Sequence, residues 1–229
     1  MPTETIKEDP RLISFNTLRK TIGWLGILLP LALLLESFIF SNCDSMQDSI
    51  SHYYYTVGGS LLVGTLCAVA MFLIAYRGYP GDKDNILTTL AGIFALGIAF
   101  FPTNDNSSHS CAITHLPDSN ARRIVHFTCA TIFFLLLAGI SFYFFTRSKG
   151  RTTNRKILRN KIYRTCAILI VVFVAGIAAY AIFGQHLHSL DKYRPIFWLE
   201  WGALLSFGTS WLIKGELVLK DKPEDEGEG

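Results

Sequence analysis

The chain has 229 residues, of which 50% are hydrophobic and 17% charged, and its formal net charge is +3. A soluble domain carries about 25% charged residues, so charge is depleted here, and most of it lies in short connectors between long apolar stretches. This segregation excludes an ordinary soluble domain. The small net charge belongs to the connectors and gives no reason to expect a nucleic-acid partner.

Six apolar stretches approach the length of a transmembrane helix, since crossing the hydrocarbon core takes about 20 mostly apolar residues. They cover residues 23–41, 55–76, 86–102, 124–146, 162–184 and 196–217. The sequence therefore predicts an all-α polytopic membrane protein. Its predicted parts are an N-terminal segment over residues 1–22, a six-transmembrane-helix bundle over residues 23–217 and an acidic tail over residues 218–229.

The N-terminal segment is polar and of mixed charge, which fits either a short amphipathic interfacial helix or a disordered tail. The first apolar stretch follows basic residues and in that respect is similar to a signal peptide. However, no small-residue cleavage site follows it, and Glu36 interrupts it. We therefore expect a permanent helix here.

The connectors predict the orientation of the bundle. The first and third connectors, over residues 41–51 and 103–120, contain no lysine or arginine. The second contains Arg77 and Lys83, and the fourth, over residues 147–161, is rich in both residue types. Cationic short loops stay in the cytoplasm. Both termini are therefore predicted to be cytoplasmic, as an even number of helices also requires.

The five cysteines divide according to this topology. Cys67, Cys129 and Cys166 fall inside predicted helices, where a cysteine is usually a small apolar side chain. Cys43 and Cys111 fall in the first two external connectors, where an oxidising compartment permits a disulfide. The sequence predicts a disulfide between these two residues.

The second predicted helix opens with Ser51, His52 and three consecutive tyrosines, which are typical of an interfacial aromatic belt. Other ionisable residues fall at a similar predicted depth on the external side. A charge at the bilayer centre costs about 2.5–3.5 kcal/mol on insertion scales, so each such residue needs a partner or a function. The residues at this depth are Glu36, His52, Asp105, His126 and Glu200.

Three interpretations of this cluster are open: a metal site, a metal-free pocket for a polar ligand, and structural hydrogen bonds between helices. His52, His126, Asp105 and Glu200 are candidate ligands for a divalent metal such as Zn²⁺, but no HxxxH or HExxH spacing places two ligands on one helical face. A serine hydrolase is not predicted, because no G-x-S-x-G motif is present. We expect His126 and Glu200 to share one polar pocket, with His52 and Asp105 at its rim and Ser51 and Glu36 nearby.

Arg122 and Arg123 lie in the predicted first turn of the fourth helix, which Ser119 or Asn120 should cap. Cations in this position oppose the helix dipole unless an anion offsets them. Lipid phosphate at the outer interface, a specific anionic ligand, or nearby aspartates could fill that role. Both arginines are therefore candidate ligand-binding residues.

Seven motifs of the chain have a familiar arrangement. They are Ser51-His52-Tyr53-Tyr54-Tyr55-Thr56, Leu90 to Gly97, Phe101-Pro102-Thr103, His126-Phe127, Arg159 to Arg164, Phe197-Trp198-Leu199-Glu200-Trp201 and Ser210 to Glu216. Together they resemble a bacterial family of six-helix inner-membrane proteins. More distantly, the layout is similar to the damage-regulated autophagy modulators and to the membrane proteins that remodel GPI-anchor lipids, which share a histidine that opens helix four and a Glu-Trp pair near the start of the last helix.

The resemblance implies a six-helix fold in the bacterial cytoplasmic membrane, with membrane lipids as partners, and it implies no activity. Alkaline ceramidases and adiponectin-type receptors are also similar in placing Ser, Asp and His at one membrane face, but their paired final-helix histidines are missing here. The function expected from the sequence is binding or handling of an amphipathic, lipid-like ligand in an externally facing pocket. The alternatives are a metal-dependent intramembrane lipid hydrolase and a small-solute transporter.

Overall fold

The structure, a computed structural model, describes residues 15–40, 43, 45–76, 84–105, 111–147, 153–184 and 188–219. These residues form six α-helices, two 3₁₀ helices and one π-helical turn, with no strand among them, which confirms the all-helical prediction. The α-helices are α1 (Phe15–Ile39), α2 (Gly59–Ala75), α3 (Asp84–Phe100), α4 (Asn120–Gly139), α5 (Asn154–Phe183) and α6 (Pro195–Lys214). The 3₁₀ helices are Ile50–Tyr55 and His188–Tyr193, and the π turn Ile140–Phe144 extends α4.

Four of these helices are long and apolar enough to cross a membrane: α1, α4 with its π turn, α5 and α6. Helices α2 and α3 are also apolar, but each has 17 residues. At 1.5 Å per residue this gives a length of about 26 Å, slightly less than a typical hydrocarbon core. The fold is that of a helical membrane protein.

Two helices begin earlier than the apolar pattern predicts. Helix α1 begins at Phe15 instead of residue 23, and α5 begins at Asn154 instead of residue 162. Thr153 caps α5 by accepting a hydrogen bond from the backbone N–H of Lys156 at 3.2 Å. Lysine and arginine are good helix formers, so hydropathy indicates where a helix enters the membrane and does not show where it starts. Residues 1–14 and 220–229, including most of the predicted tail, lie outside the described residues.

Small residues allow close packing of the helices, as expected where lipid supplies no hydrophobic force between them. Helix α6 packs between α1 and α5, while α3 packs between α2 and α4. Ala91, Ala95 and Ala99 form a buried stripe along α3. Gly208 of α6 lies so close to α1 that an added Cβ would fall 2.6 Å from the carbonyl oxygen of Gly23.

A folded cap covers one end of the bundle. The predicted disulfide between Cys43 and Cys111 is present, with a Cα–Cα distance of 5.6 Å. It joins the connector after α1 to the connector before α4. Backbone N–H groups of Ile113 and Thr114 also donate to the carbonyl oxygen of Tyr55, at 2.8 and 3.3 Å. These bonds hold the Ile50–Tyr55 helix beneath the connector.

The three tyrosines of this helix do not form the predicted aromatic belt. Tyr53 and Tyr55 are both 0% exposed, and only Tyr54 is partly exposed. The Tyr55 hydroxyl donates to the carbonyl oxygen of Thr103 at 2.5 Å, while the ring of Tyr53 lies 6.2 Å from that of Phe197. The belt prediction is wrong because a 3₁₀ turn folds the segment inward, where the phenol oxygens meet protein partners.

Candidate functional site

The Ile50–Tyr55 helix is held against the start of α6 by its N-terminal side. Ser49 caps it, with its side-chain oxygen accepting a hydrogen bond from the backbone N–H of Ser51 at 3.0 Å. The carbonyl oxygen of Asp48 accepts from the backbone N–H of Phe197 at 3.1 Å, and the Asp48 carboxylate pairs with Arg194. These contacts fix the position of Ser51, the second residue of the 3₁₀ helix, beside the start of α6.

Glu200 of α6 anchors the same segment through its carboxylate. One carboxylate oxygen accepts from the backbone N–H of Ile50 at 2.6 Å, and the other accepts from the Ser49 hydroxyl at 3.3 Å. Hydrogen bonds to a charged group are worth about 1.5–3 kcal/mol. The hydrogen bonds from Ile50 and Ser49 explain how a carboxylate is tolerated one and a half turns inside an apolar helix.

His126 of α4 is buried, and both of its ring nitrogens have partners. Nδ1 lies 2.8 Å from the carbonyl oxygen of Phe101, and Nε2 lies 3.1 Å from the hydroxyl oxygen of Ser51. A carbonyl oxygen can only accept, so Nδ1 carries the hydrogen. In the neutral ring Nε2 is then an acceptor, and the Ser51 hydroxyl donates to it.

The end of α3 supplies the carbonyl group that orients this ring. In a continuing helix, the carbonyl oxygen of Phe101 would accept from an N–H four residues later. The helix ends at Phe100, and Pro102 follows, where proline disfavours helical backbone in the residue before it. The last helical carbonyls are therefore left for other donors, and His126 uses one of them.

Ser51, His126 and Glu200 line one cavity, together with the partly exposed Tyr54. The cavity has a volume of about 70 Å³ and is open at one side. The rest of its wall is apolar and comes from α1, α2, α3, α4 and α6. That wall comprises Leu29, Ile50, Leu62, Val63, Leu66, Ile98, Ala99, Pro102, Ala130, Phe133, Phe134 and Leu204.

The other predicted site residues lie outside the lining of this cavity. His52 is next to Ser51 and is 9% exposed. Asp105 has a carboxylate oxygen 2.8 Å from Nδ1 of His115, whose side chain is largely exposed. Glu36 lies beside Gly58 at the start of α2. The predicted cluster is thus divided: His126 and Glu200 line the cavity, whereas His52, Asp105 and Glu36 do not.

The geometry gives no support to the metal-site interpretation. No group of three or more His, Cys, Asp or Glu side chains within the described residues is arranged to hold a metal ion. Both ring nitrogens of His126 already have partners, and the Glu200 carboxylate accepts two hydrogen bonds. Zn²⁺ would need three or four such donors converging on one point.

Arg122 donates hydrogen bonds to protein oxygens, and its binding of an anion stays a prediction. Its guanidinium donates to the carbonyl oxygens of Pro102 and Pro117 at 3.1 and 2.9 Å, and to the side-chain oxygen of Asn104 at 3.4 Å. Ser119 caps the helix as predicted, accepting from the backbone N–H of Arg122. Arg122 therefore ties the end of α3 to the start of α4.

Arg123 differs from Arg122 in its exposure. Its guanidinium donates to the side-chain oxygen of Asn120 at 3.1 Å, one turn earlier in the same helix. It does not line the cavity. A role for Arg123 in contact with lipid phosphate stays a prediction.

Sequence reasoning missed two parts of the site. Ser49 is a hydroxyl residue just before a short helix, which is a typical cap signal, but nothing in the sequence connects it to Glu200. The carbonyl oxygen of Phe101 has no side-chain signal, although Pro102 indicates that the helix ends there. The apolar wall has the same composition as a lipid-facing surface and leaves no distinct pattern.

No protein-family model matches the chain, and neither the curated proteins nor the solved structures gave a match.

Proposed function

We propose that this protein is a six-span membrane protein that binds an amphipathic, lipid-like ligand, with the polar part of the ligand at Ser51, His126 and Glu200. The observation that carries the proposal is the distribution of polarity in the cavity. Its polar side chains are few and close together, and the remaining wall is apolar. Sites for small molecules commonly combine an apolar wall with a small number of placed polar groups.

The polar end should determine which lipid binds. An acyl chain that moves from the bilayer into an apolar cavity exchanges one apolar environment for another and gains little from the hydrophobic effect. A headgroup donor that reaches the remaining lone pairs of the Ser51 hydroxyl or the Glu200 carboxylate exchanges water for fixed partners. Selectivity therefore rests on Ser51 and Glu200, with His126 holding the Ser51 hydroxyl in place, while the apolar wall accommodates the chain.

The proposal includes six membrane crossings with both termini in the cytoplasm. The 17 residues of α2 and α3 fall at the lower end of the spanning range. The cationic connectors at residues 77–85 and 147–161 support this orientation, and the disulfide fits an oxidising exterior. The cavity mouth and the cap would then face outward.

The topology is tested by labelling with a membrane-impermeant maleimide after the helix cysteines have been replaced. A cysteine at Asp118, in the connector before α4, should be labelled in intact cells. A cysteine at Arg155, at the start of α5, should be labelled only after the cells are permeabilised. The reverse pattern would place the cavity mouth on the cytoplasmic side.

The binding proposal is tested by mass spectrometry of lipids that remain with the detergent-purified protein. Ala130→Trp places a large ring in the cavity wall and should reduce the retained lipid. Ala181→Trp is the matched control, because Ala181 lies on the exposed face of α5. Equal lipid retention by both variants and the unmodified protein would contradict the proposal.

A further inference from the structure

We infer that Ser51 and His126 form a nucleophile and general base for acyl transfer, acting on an ester of a lipid-like substrate bound in the cavity. This inference rests on the proposed function, because the substrate occupies the same cavity. The distances and the tautomer support it. The Ser51 hydroxyl oxygen lies 3.1 Å from Nε2 of His126, within the range of about 2.6–3.2 Å that activated nucleophiles show.

A third group orients the base, as such arrangements require. The carbonyl oxygen of Phe101 accepts from Nδ1–H of His126 at 2.8 Å, which fixes the ring and leaves Nε2 as the acceptor. In the serine triad a carboxylate fills this position. A carbonyl oxygen has less negative charge, so it fixes the ring orientation but stabilises the protonated ring less.

The location of the pair suits an acyl substrate. Both residues line the cavity, so a substrate carbonyl group bound there would lie beside the Ser51–His126 pair. Apolar side chains such as Leu66, Phe133 and Phe134 form the rest of the wall. The ester group and the first part of an acyl chain would lie against this wall, and the rest of the chain would extend through the open mouth.

The reaction proceeds in two balanced steps. The Ser51 oxygen attacks the ester carbonyl carbon while its proton passes to Nε2 of His126. The tetrahedral intermediate collapses, the bond to the leaving alcohol breaks, and His126 gives the proton to that alcohol. Water, as the second reactant, then attacks the acyl–Ser51 ester, loses a proton to Nε2, and releases a fatty acid as the proton returns to Ser51.

The intermediate needs a hydrogen-bond donor for its oxyanion. Tyr54 is the candidate, because it lines the cavity and follows Ser51 by one turn of the same 3₁₀ helix. Tyrosine hydroxyls serve in such oxyanion sites, where loss of one donor typically slows the reaction by about 10²–10³. Glu200 is a positioning residue, because its carboxylate accepts from Ile50 and Ser49 next to the nucleophile.

The test uses a fluorophosphonate probe with a long alkyl chain, because it reacts with an activated serine by displacing fluoride. The purified full-length protein should form an adduct, and peptide mapping should locate it on Ser51. Ser51→Ala should abolish labelling, while Ser60→Ala, at an exposed position of α2, should not change it. His126→Gln should slow labelling by about 10²–10⁴, the usual contribution of a general base.

Lipid retention, measured on the same preparations, separates this inference from the proposed function. If the unmodified protein retains lipid but forms no adduct on Ser51, the acyl-transfer inference is overturned and lipid binding stands. If it neither retains lipid nor reacts, both are overturned. Labelling of Ser51 that a competing acyl ester prevents would support the inference. Because the unmodified protein decides the question, a variant that fails to fold does not obscure the result.

Discussion

Replacement of Gly208 by alanine tests the packing that holds the cavity together. A Cβ at this position would lie 2.5 Å from Cγ1 of Ile27 and 2.6 Å from the carbonyl oxygen of Gly23. The isoleucine side chain could rotate away, but the carbonyl group is part of the α1 backbone. Ordinary contact begins near 3.4 Å, so the two helices would have to separate locally by about 0.8 Å.

The magnitude follows from two opposing effects. Overpacking in a tightly packed interior typically costs about 1–3 kcal/mol. Replacing glycine by alanine within a helix recovers up to about 1 kcal/mol through helix propensity. We therefore expect a net loss of about 1–2 kcal/mol for Gly208→Ala. A protein of this size changes its melting temperature by about 2–4 °C for each kcal/mol.

A matched variant separates these effects. Gly64 of α2 has no atom within 4 Å of the position that an added Cβ would occupy. Gly64→Ala should therefore leave the melting temperature in detergent unchanged or slightly raised. Gly208→Ala should lower it and should also reduce lipid retention, because Leu29 of α1 and Leu204 of α6 both line the cavity. Equal melting temperatures for the two variants would refute the close approach of α1 to α6.

Three further predictions concern the cap. Intact-mass measurement after alkylation without reductant should show three modified cysteines, and five would exclude the Cys43–Cys111 disulfide. Because this bond spans 68 residues, its loss should lower the free energy of unfolding by up to about 4 kcal/mol. Tyr55→Phe leaves the carbonyl oxygen of Thr103 without its hydrogen-bond donor and should lower the free energy of unfolding by about 1–3 kcal/mol. Tyr143→Phe, at an exposed ring, should change that free energy little. Burial raises the pKa of Tyr55 above its ordinary value of 10.0, so the stabilising contribution of its neutral form should be complete below pH 10 and be lost as the pH rises further.

The fold was largely predictable because its signals are local. Each of the six apolar stretches overlaps one α-helix of the structure. The disulfide could be predicted because the charges of the connectors indicate an orientation for the bundle. The predicted orientation puts Cys43 and Cys111 on the same, external side. Helix starts were less predictable, because α1 and α5 extend into polar sequence where hydropathy gives no signal.

The site was only partly predictable, and the reason is energetic. His126 and Glu200 could be recognised because a polar group in an apolar helix is costly and needs a partner. Asp105 carries the same signal, but its carboxylate pairs with His115 and does not line the cavity. The sequence shows that such a residue needs a partner and does not show which residue that partner is. The apolar wall had no signal, because side chains that face a cavity and side chains that face lipid have the same composition.

The anchoring of the Ile50–Tyr55 segment explains why polar residues from two distant helices meet at the cavity. The first backbone N–H groups of a helix have no partner within it, and Glu200 satisfies the backbone N–H of Ile50. His126 contacts the segment differently, through the Ser51 hydroxyl, while its other nitrogen is held by α3. The backbone bonds can persist without the hydroxyl, since none of them uses it. Removal of the Ser51 hydroxyl should therefore abolish the inferred acyl transfer with a smaller loss of stability than removal of the Glu200 carboxylate would cause.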